Sequence, residues 1–134
     1  MIKLAAILSA AALSALPLSA SAAAPQLPAL ESQVHCALVF GQVAREQSQK
    51  VARADRFPAM IAPGRAFFVA TGLRTLDEKA ATLETIEAYY MTRFAVLQDS
   101  LTKAPDPAAA LDREFAQCVP QFQAVAPKVA PTPR

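Results

Sequence analysis

The sequence contains a single histidine, three glycines, two cysteines, no tryptophan and no asparagine among its 134 residues. With His35 as the only imidazole, one chain cannot hold a zinc site of several imidazoles. No glycine-framed serine, phosphate-cradling loop, CxxC or CxxCH motif occurs. These absences argue against nucleophilic catalysis, nucleotide chemistry and covalent haem attachment. We therefore expect no enzymatic activity and no resident cofactor.

Neither sign of charge predominates, because the chain has 13 basic and 11 acidic side chains. Such a balance indicates neither nucleic acid nor an anionic membrane surface as a partner. Hydrophobic residues make up 54% of the chain. That share, at this length, is compatible with the packed core of one domain.

The first 22 residues have the order of a secretory signal peptide. Lys3 precedes an apolar run over residues 4–18, and a small-x-small pattern, Ala-Ser-Ala, follows at 20–22. The run is shorter than the roughly 20 residues of a membrane-spanning helix. Residues 1–22 are thus predicted to be cleaved, which gives a periplasmic or secreted protein without stable membrane insertion.

Export exposes Cys36 and Cys118 to a compartment in which thiols are oxidised. A disulfide between them closes a loop of about 80 residues and stabilises the fold by about 4 kcal/mol in the chain-entropy model. The alternative is a metal site of both thiolates with His35, which a disulfide would abolish. Haem ligated by His35 with Met60 or Met91 is a further alternative.

Prolines and apolar spacing divide the remaining chain into a linker at 23–29, a helical domain at 30–122 and a proline-rich disordered tail at 123–134. Apolar residues at steps of three or four predict a first helix from about 30 to about 54, which ends before Pro58. A second helix opens after Pro63. No segment has the alternation of a strand.

Two signals compete for the start of the third helix. Thr75 and Glu78 have the spacing of a capping box, but the apolar pattern continues past them and favours a break near Ala81. Asp106 followed by Pro107 predicts the start of a fourth helix, which Pro120 should kink or end. The expected fold is all-α: a four-helix up-down bundle stapled by one disulfide.

Two sets of side chains are candidate contacts. Six cations lie between positions 45 and 74 against two acids. They either pair within the bundle or hold an anionic partner, with Arg53, Arg56 and Arg65 as the candidates. Phe67 and Phe68 are a possible exposed apolar contact, and core burial of the pair is the alternative.

Four short motifs carry a resemblance to a known group: Cys-Ala-Leu-Val-Phe at 36–40, Phe-Pro at 57–58, Gly-Arg-Ala-Phe-Phe at 64–68 and Cys-Val-Pro at 118–120. Together they resemble small exported all-helical proteins of alphaproteobacteria that carry no assigned activity. The resemblance spans residues 34–122 and implies a helical fold, the Cys36–Cys118 bridge and a helix break near Ala81. It implies no catalytic residues.

The function expected from the sequence is that of an exported, non-enzymatic helical binding protein of the cell envelope. Its partner would be another envelope protein or a small ligand, not nucleic acid. One alternative is an acid- or stress-conditional periplasmic chaperone, because exported acid-stress chaperones share the layout of a small helical domain with one distant disulfide. The other alternative is a haem or metal carrier that uses His35.

Overall fold

The computed structural model describes residues 27–125 as four α-helices and one short 3-10 helix, with no strand in that range. The all-α prediction is confirmed. The predicted signal peptide, most of the predicted linker and residues 126–134 of the predicted tail lie outside the described residues. The elements are α1 (Leu30–Ser48), the 3-10 helix (Ala52–Arg56), α2 (Ile61–Lys79), α3 (Leu83–Lys103) and α4 (Pro107–Val125).

Helix α1 forms the centre of the core. Five consecutive residues, 36–40, are buried, so this turn is enclosed on every side. The Phe40 ring meets Phe67, Phe115 and Phe122 edge to face, with ring centroids 5.1, 5.4 and 5.4 Å away. Such edge-to-face pairs stabilise a core beyond the area they bury. Helices α2 and α4 are thereby held on one aromatic centre.

A disulfide between Cys36 and Cys118 joins the second turn of α1 to the late part of α4, as predicted. The two Cα atoms lie 5.3 Å apart across a sequence separation of 82. Both cysteines are buried. The position of this bond is consistent with the predicted up-and-down order, in which an even number of helices brings the start of the first and the end of the last together.

The first helix ends at Ser48, six residues before the predicted end near Ala54. Lys50 adopts a left-handed conformation with φ of 56°, which breaks the helical ladder. The Gln47 side chain then holds the following turn: its amide donates to the Pro58 carbonyl at 2.8 Å, and the Met60 backbone N–H donates to its oxygen at 2.8 Å. The expected continuation is replaced by the 3-10 helix.

Helix α2 begins at Ile61, so Pro63 lies inside its first turn instead of before it. Proline is tolerated there because the N–H groups of a first turn have no partner within the helix. The helix ends at Lys79, and Ala80 is left-handed with φ of 47°.

The break near Ala81 is confirmed. The Thr82 hydroxyl accepts from the Thr85 N–H at 3.2 Å and caps α3. The competing capping box at Thr75 does not form, because Thr75 is buried within α2 and donates to the Thr71 carbonyl at 2.8 Å.

Asp106 starts α4 as predicted, since its carboxylate accepts from the Ala109 N–H at 3.0 Å and Pro107 is the first helical residue. Pro120 does not end the helix, which continues to Val125, three residues past the predicted domain boundary. Pro120 has no N–H to donate to the Ala116 carbonyl, and both residues lie on the exposed side of α4.

Candidate functional site

An apolar groove runs along α2 on the side that faces α3. Large apolar side chains line it and stay accessible: Leu83 is 77% exposed, Leu73 62%, Val69 53% and Phe68 39%. Scattered exposed apolar residues are ordinary in proteins, whereas a contiguous set marks a contact surface. We call this surface the α2–α3 groove.

Three adjoining hollows make up the groove, and Phe68 borders all of them. One of about 260 Å³ lies between α2 and the start of α3, and one of about 170 Å³ lies between α1, α2 and the middle of α3. The third, of about 400 Å³, lies between α1 and the first turns of α2. With a rise of about 1.5 Å per residue, the lining from Ile61 to Leu76 extends over about 22 Å.

Two glycines keep the groove open. A Cβ built at Gly41 or Gly72 would meet no atom within 4 Å, and both residues line the hollows. Neither has a positive φ, so neither backbone conformation nor close packing requires glycine there. Gly64 differs, because a Cβ at that position would lie 3.3 Å from the Phe40 carbonyl oxygen. A glycine inside a helix lowers stability by about 1 kcal/mol relative to alanine. At Gly41 and Gly72 this cost is accompanied by open space in the groove.

The groove changes from apolar to cationic along its length. The two smaller hollows have only uncharged lining, while Arg45 and Arg65 border the third. The Arg45 guanidinium lies 5.8 Å from the centre of the Phe94 ring, which itself lines the apolar part. No aspartate or glutamate lines any of the three hollows. An anion at this end would therefore meet two positive charges and no carboxylate of the lining.

The Tyr90 side chain contributes its ring to the apolar part of the groove. Its hydroxyl lies 3.3 Å from that of Thr75 inside the bundle. Burial raises the pKa of Tyr90 above its ordinary value of 10.0. Tyr90 is therefore neutral at every physiological pH, and the apolar part carries no charge.

Comparisons with family models, curated proteins and solved structures found no match. The functional argument therefore depends on the geometry of the groove. Within residues 27–125, no helix is both long enough and apolar enough to cross a membrane.

The structure separates the cations that the sequence grouped together. Arg53 pairs with the buried Glu46, and Arg56 lies 3.1 Å from Asp112. Arg65 borders the groove and forms no ion pair with a described residue. Of the three candidate anion contacts, only Arg65 forms no ion pair with another residue of the range 27–125.

The two adjacent phenylalanines also differ in their surroundings. Phe67 is 2% exposed and packs on Phe40 in the core, so it is not an exposed contact, whereas Phe68 borders every hollow of the groove. A helix turns by about 100° per residue, so neighbouring side chains point in different directions.

Sequence reasoning missed the roles of Arg45, Gly41 and Gly72. Glycine in the interior of a continuous helical pattern is the one signal that could have indicated them. The cationic end itself depends on the packing of α1 against α2, which spacing along one helix does not specify.

A buried polar cluster lies on α1 outside the groove. Glu46 is 3% exposed, and its carboxylate accepts from Gln42 at 2.6 Å and from two N–H groups of Arg53, one of them at 2.8 Å. The bonds from Arg53 hold the pKa of Glu46 below its ordinary value of 4.5 despite burial. Every group of this cluster is engaged within the bundle, so we assign it to stability and not to ligand binding.

His35 lies in the first turns of α1 next to α4, where its Nε2 is 2.7 Å from a carboxylate oxygen of Glu114. The Cys36 and Cys118 sulfurs beside it are bonded to each other, so they supply no thiolate to a metal. Within the described part of the chain, no three His, Cys, Asp or Glu side chains form a group that could hold a metal ion.

A further hollow of about 520 Å³ lies between the ends of the described chain, next to Leu27 and Val125. Its arginine, Arg74, already donates to Glu78 at 2.6 Å and to the Pro28 carbonyl at 2.7 Å. This hollow offers a ligand no unengaged cation, so it is a weaker candidate than the groove.

Proposed function

We propose that the chain is an exported, non-enzymatic binding protein of the cell envelope whose α2–α3 groove binds the alkyl chain of a small amphiphile. The observation that carries the proposal is an accessible apolar groove with open space above Gly41 and Gly72. The signal-like leader and the Cys36–Cys118 bond support export.

The size of the apolar hollows suits an alkyl chain. They have volumes of about 170 and 260 Å³, and both border Phe68. Small-molecule sites have volumes of roughly 300–1,000 Å³. The two hollows together reach the lower part of that range, which suits one chain.

The lining also supports binding without catalysis. It contains no histidine, cysteine or carboxylate, and its Ser48 hydroxyl donates to the Arg45 carbonyl at 2.7 Å. A catalytic nucleophile needs an adjacent base. Ser48 has none in the lining.

The test is titration of the mature protein with dodecanol below its solubility limit, followed by NMR shifts of the groove residues. We expect saturable binding that Gly72→Leu abolishes, because the added side chain fills the groove. Leucine is a better helix former than glycine, so this variant stays folded. Ala116→Leu is the matched control, since Ala116 is exposed on α4 and lines none of the three hollows. Binding that both variants retain would contradict the proposal.

A second candidate function, the acid-conditional chaperone, is supported by the Glu46–Arg53 pair. Because the pKa of Glu46 is lowered in the fold, the pair persists below pH 4.5 and is lost only as pH falls through that lowered value. Its loss would loosen the contact between α1 and the 3-10 helix. Suppression of client aggregation at low pH, absent at pH 7, tests this candidate; clients that aggregate equally with and without the protein would remove it.

A further inference from the structure

We infer that the amphiphile carries an anionic headgroup, and that the ligand is a long-chain carboxylate whose headgroup lies between Arg45 and Arg65. This inference rests on the proposed function and names the ligand class of the same groove. It depends on three observations: which cations form ion pairs, where the Arg45 guanidinium lies, and that the groove is apolar at one end and cationic at the other.

Most cations of the described chain are engaged in ion pairs. The paired ones lie on the 3-10 helix, α2 and α3, and they are Arg53, Arg56, Arg74, Lys79, Arg93 and Lys103. Four cations of residues 27–125 form no ion pair with a described residue: Arg45, Lys50, Arg65 and Arg113. Of these, Arg45 and Arg65 line the same hollow of the groove, whereas Lys50 and Arg113 line none of its three hollows. The two guanidinium groups at this end are therefore open to an anion that is not part of the described chain.

Contact with Phe94 fixes the place of one of these charges. The Arg45 guanidinium lies 5.8 Å from the ring centroid, a cation–π distance. Phe94 belongs to the apolar hollow, and Gly41 and Phe68 border both that hollow and the cationic one. The positive charge thus lies where the apolar part ends.

An amphiphile matches this order of surfaces in one orientation. Its chain lies along Phe68, Gly72 and Leu76 toward the start of α3, and its headgroup meets the two guanidinium groups. A carboxylate accepts paired N–H bonds from arginine in a planar geometry. The lining has no carboxylate that would repel it.

The experiment compares dodecanoate with dodecanol on the mature protein, both below their aggregation concentrations. Each exposed ion pair contributes about two- to fivefold in affinity, so two arginines should favour dodecanoate about tenfold at low salt. The preference should shrink at high salt through screening. Arg45→Gln with Arg65→Gln should equalise the two ligands, measured as the ratio of their dissociation constants.

Arg113→Gln is the matched control, because Arg113 is exposed on α4 and lines none of the three hollows. This variant should keep the tenfold preference. Equal binding of dodecanoate and dodecanol by the unaltered protein would overturn the inference and leave the proposed function standing. Binding of neither would remove the proposed function itself.

Two other occupants are tested in the same series. Binding of a lysophospholipid but not of dodecanoate would overturn the inference, because it would place a larger headgroup at the cationic end. A concentration-dependent dimer that Gly72→Leu dissociates would overturn it as well, since a second copy would then cover the groove. A monomer at all concentrations, with dodecanoate bound, supports it.

Discussion

Replacing Arg53 with alanine should destabilise the protein by about 3 kcal/mol at pH 7. Removal of one partner of a buried ion pair costs about 3–5 kcal/mol, because the other charge is left buried. Glu46 is that charge, with 4% of its side chain exposed. We take the lower end because the Arg53 side chain is 35% exposed, so water can enter the space it leaves.

Arg56→Ala is the matched control in the same 3-10 helix. The Arg56–Asp112 pair spans 3.1 Å, and its side chains are 45% and 42% exposed. Exposed pairs contribute at most about 1 kcal/mol. Two arginines three residues apart should therefore differ by about 2 kcal/mol on removal, solely because one partner is buried and the other is not.

The pH dependence gives the sharper test. In the unaltered protein the pKa of Glu46 is lowered, so its contribution is complete above pH 4.5 and declines as pH falls through the lowered value. Without Arg53 the largest cause of the lowering is gone, so the pKa of Glu46 rises relative to that in the unaltered protein, although the Gln42 bond and the Arg45 charge still lower it. As pH falls, protonation of Glu46 removes the unpaired buried charge from the variant. The difference in free energy of unfolding between the variant and the unaltered protein then becomes smaller.

Urea unfolding followed by circular dichroism at pH 7 and pH 4 measures the gap. Equal costs for Arg53→Ala and Arg56→Ala, or a gap for Arg53→Ala that stays constant between the two pH values, would refute the reasoning.

Three further perturbations test the disulfide, the core and a helix cap. Reduction of the Cys36–Cys118 bond, or its replacement by two alanines, should lower the free energy of unfolding by about 4 kcal/mol, measured by urea unfolding with and without reductant. Phe40→Ala should cost about 3–5 kcal/mol, because the ring is fully buried among three others, and near-ultraviolet circular dichroism should lose intensity. Thr82→Ala should cost about 1 kcal/mol by removing the α3 cap, whereas the exposed Thr92→Ala should cost under about 0.5 kcal/mol; equal losses would contradict the cap.

The features that the sequence predicts correctly have local causes. Asp106 before Pro107 is an N-cap followed by a residue with a helical φ, and both act within one turn. The disulfide follows from having two cysteines together with a predicted export signal. The break near Ala81 follows from an apolar pattern that changes phase there.

The features it does not predict depend on contacts between distant segments. Helix α1 ends at Ser48 because the Gln47 side chain bonds with the loop at positions 57–60, beyond the predicted helix end. Glu46 and Gln42 look like surface residues in the sequence, yet both are buried by the packing of other elements. The groove escapes prediction for the same reason, since its walls come from three helices.

The Cys36–Cys118 bond joins α1 and α4 directly, while α2 and α3 lie within the loop that it closes. Helix α3 has only three buried residues, Tyr90, Leu97 and Leu101, against ten in α1. Segments with few buried contacts open at lower free energy than the core, as cooperative units in native-state hydrogen exchange. Amides of α3 should thus exchange before those of α1. The opening that exposes them would move one wall of the groove while α1 and α4 stay covalently joined, so the groove can widen around a ligand without global unfolding.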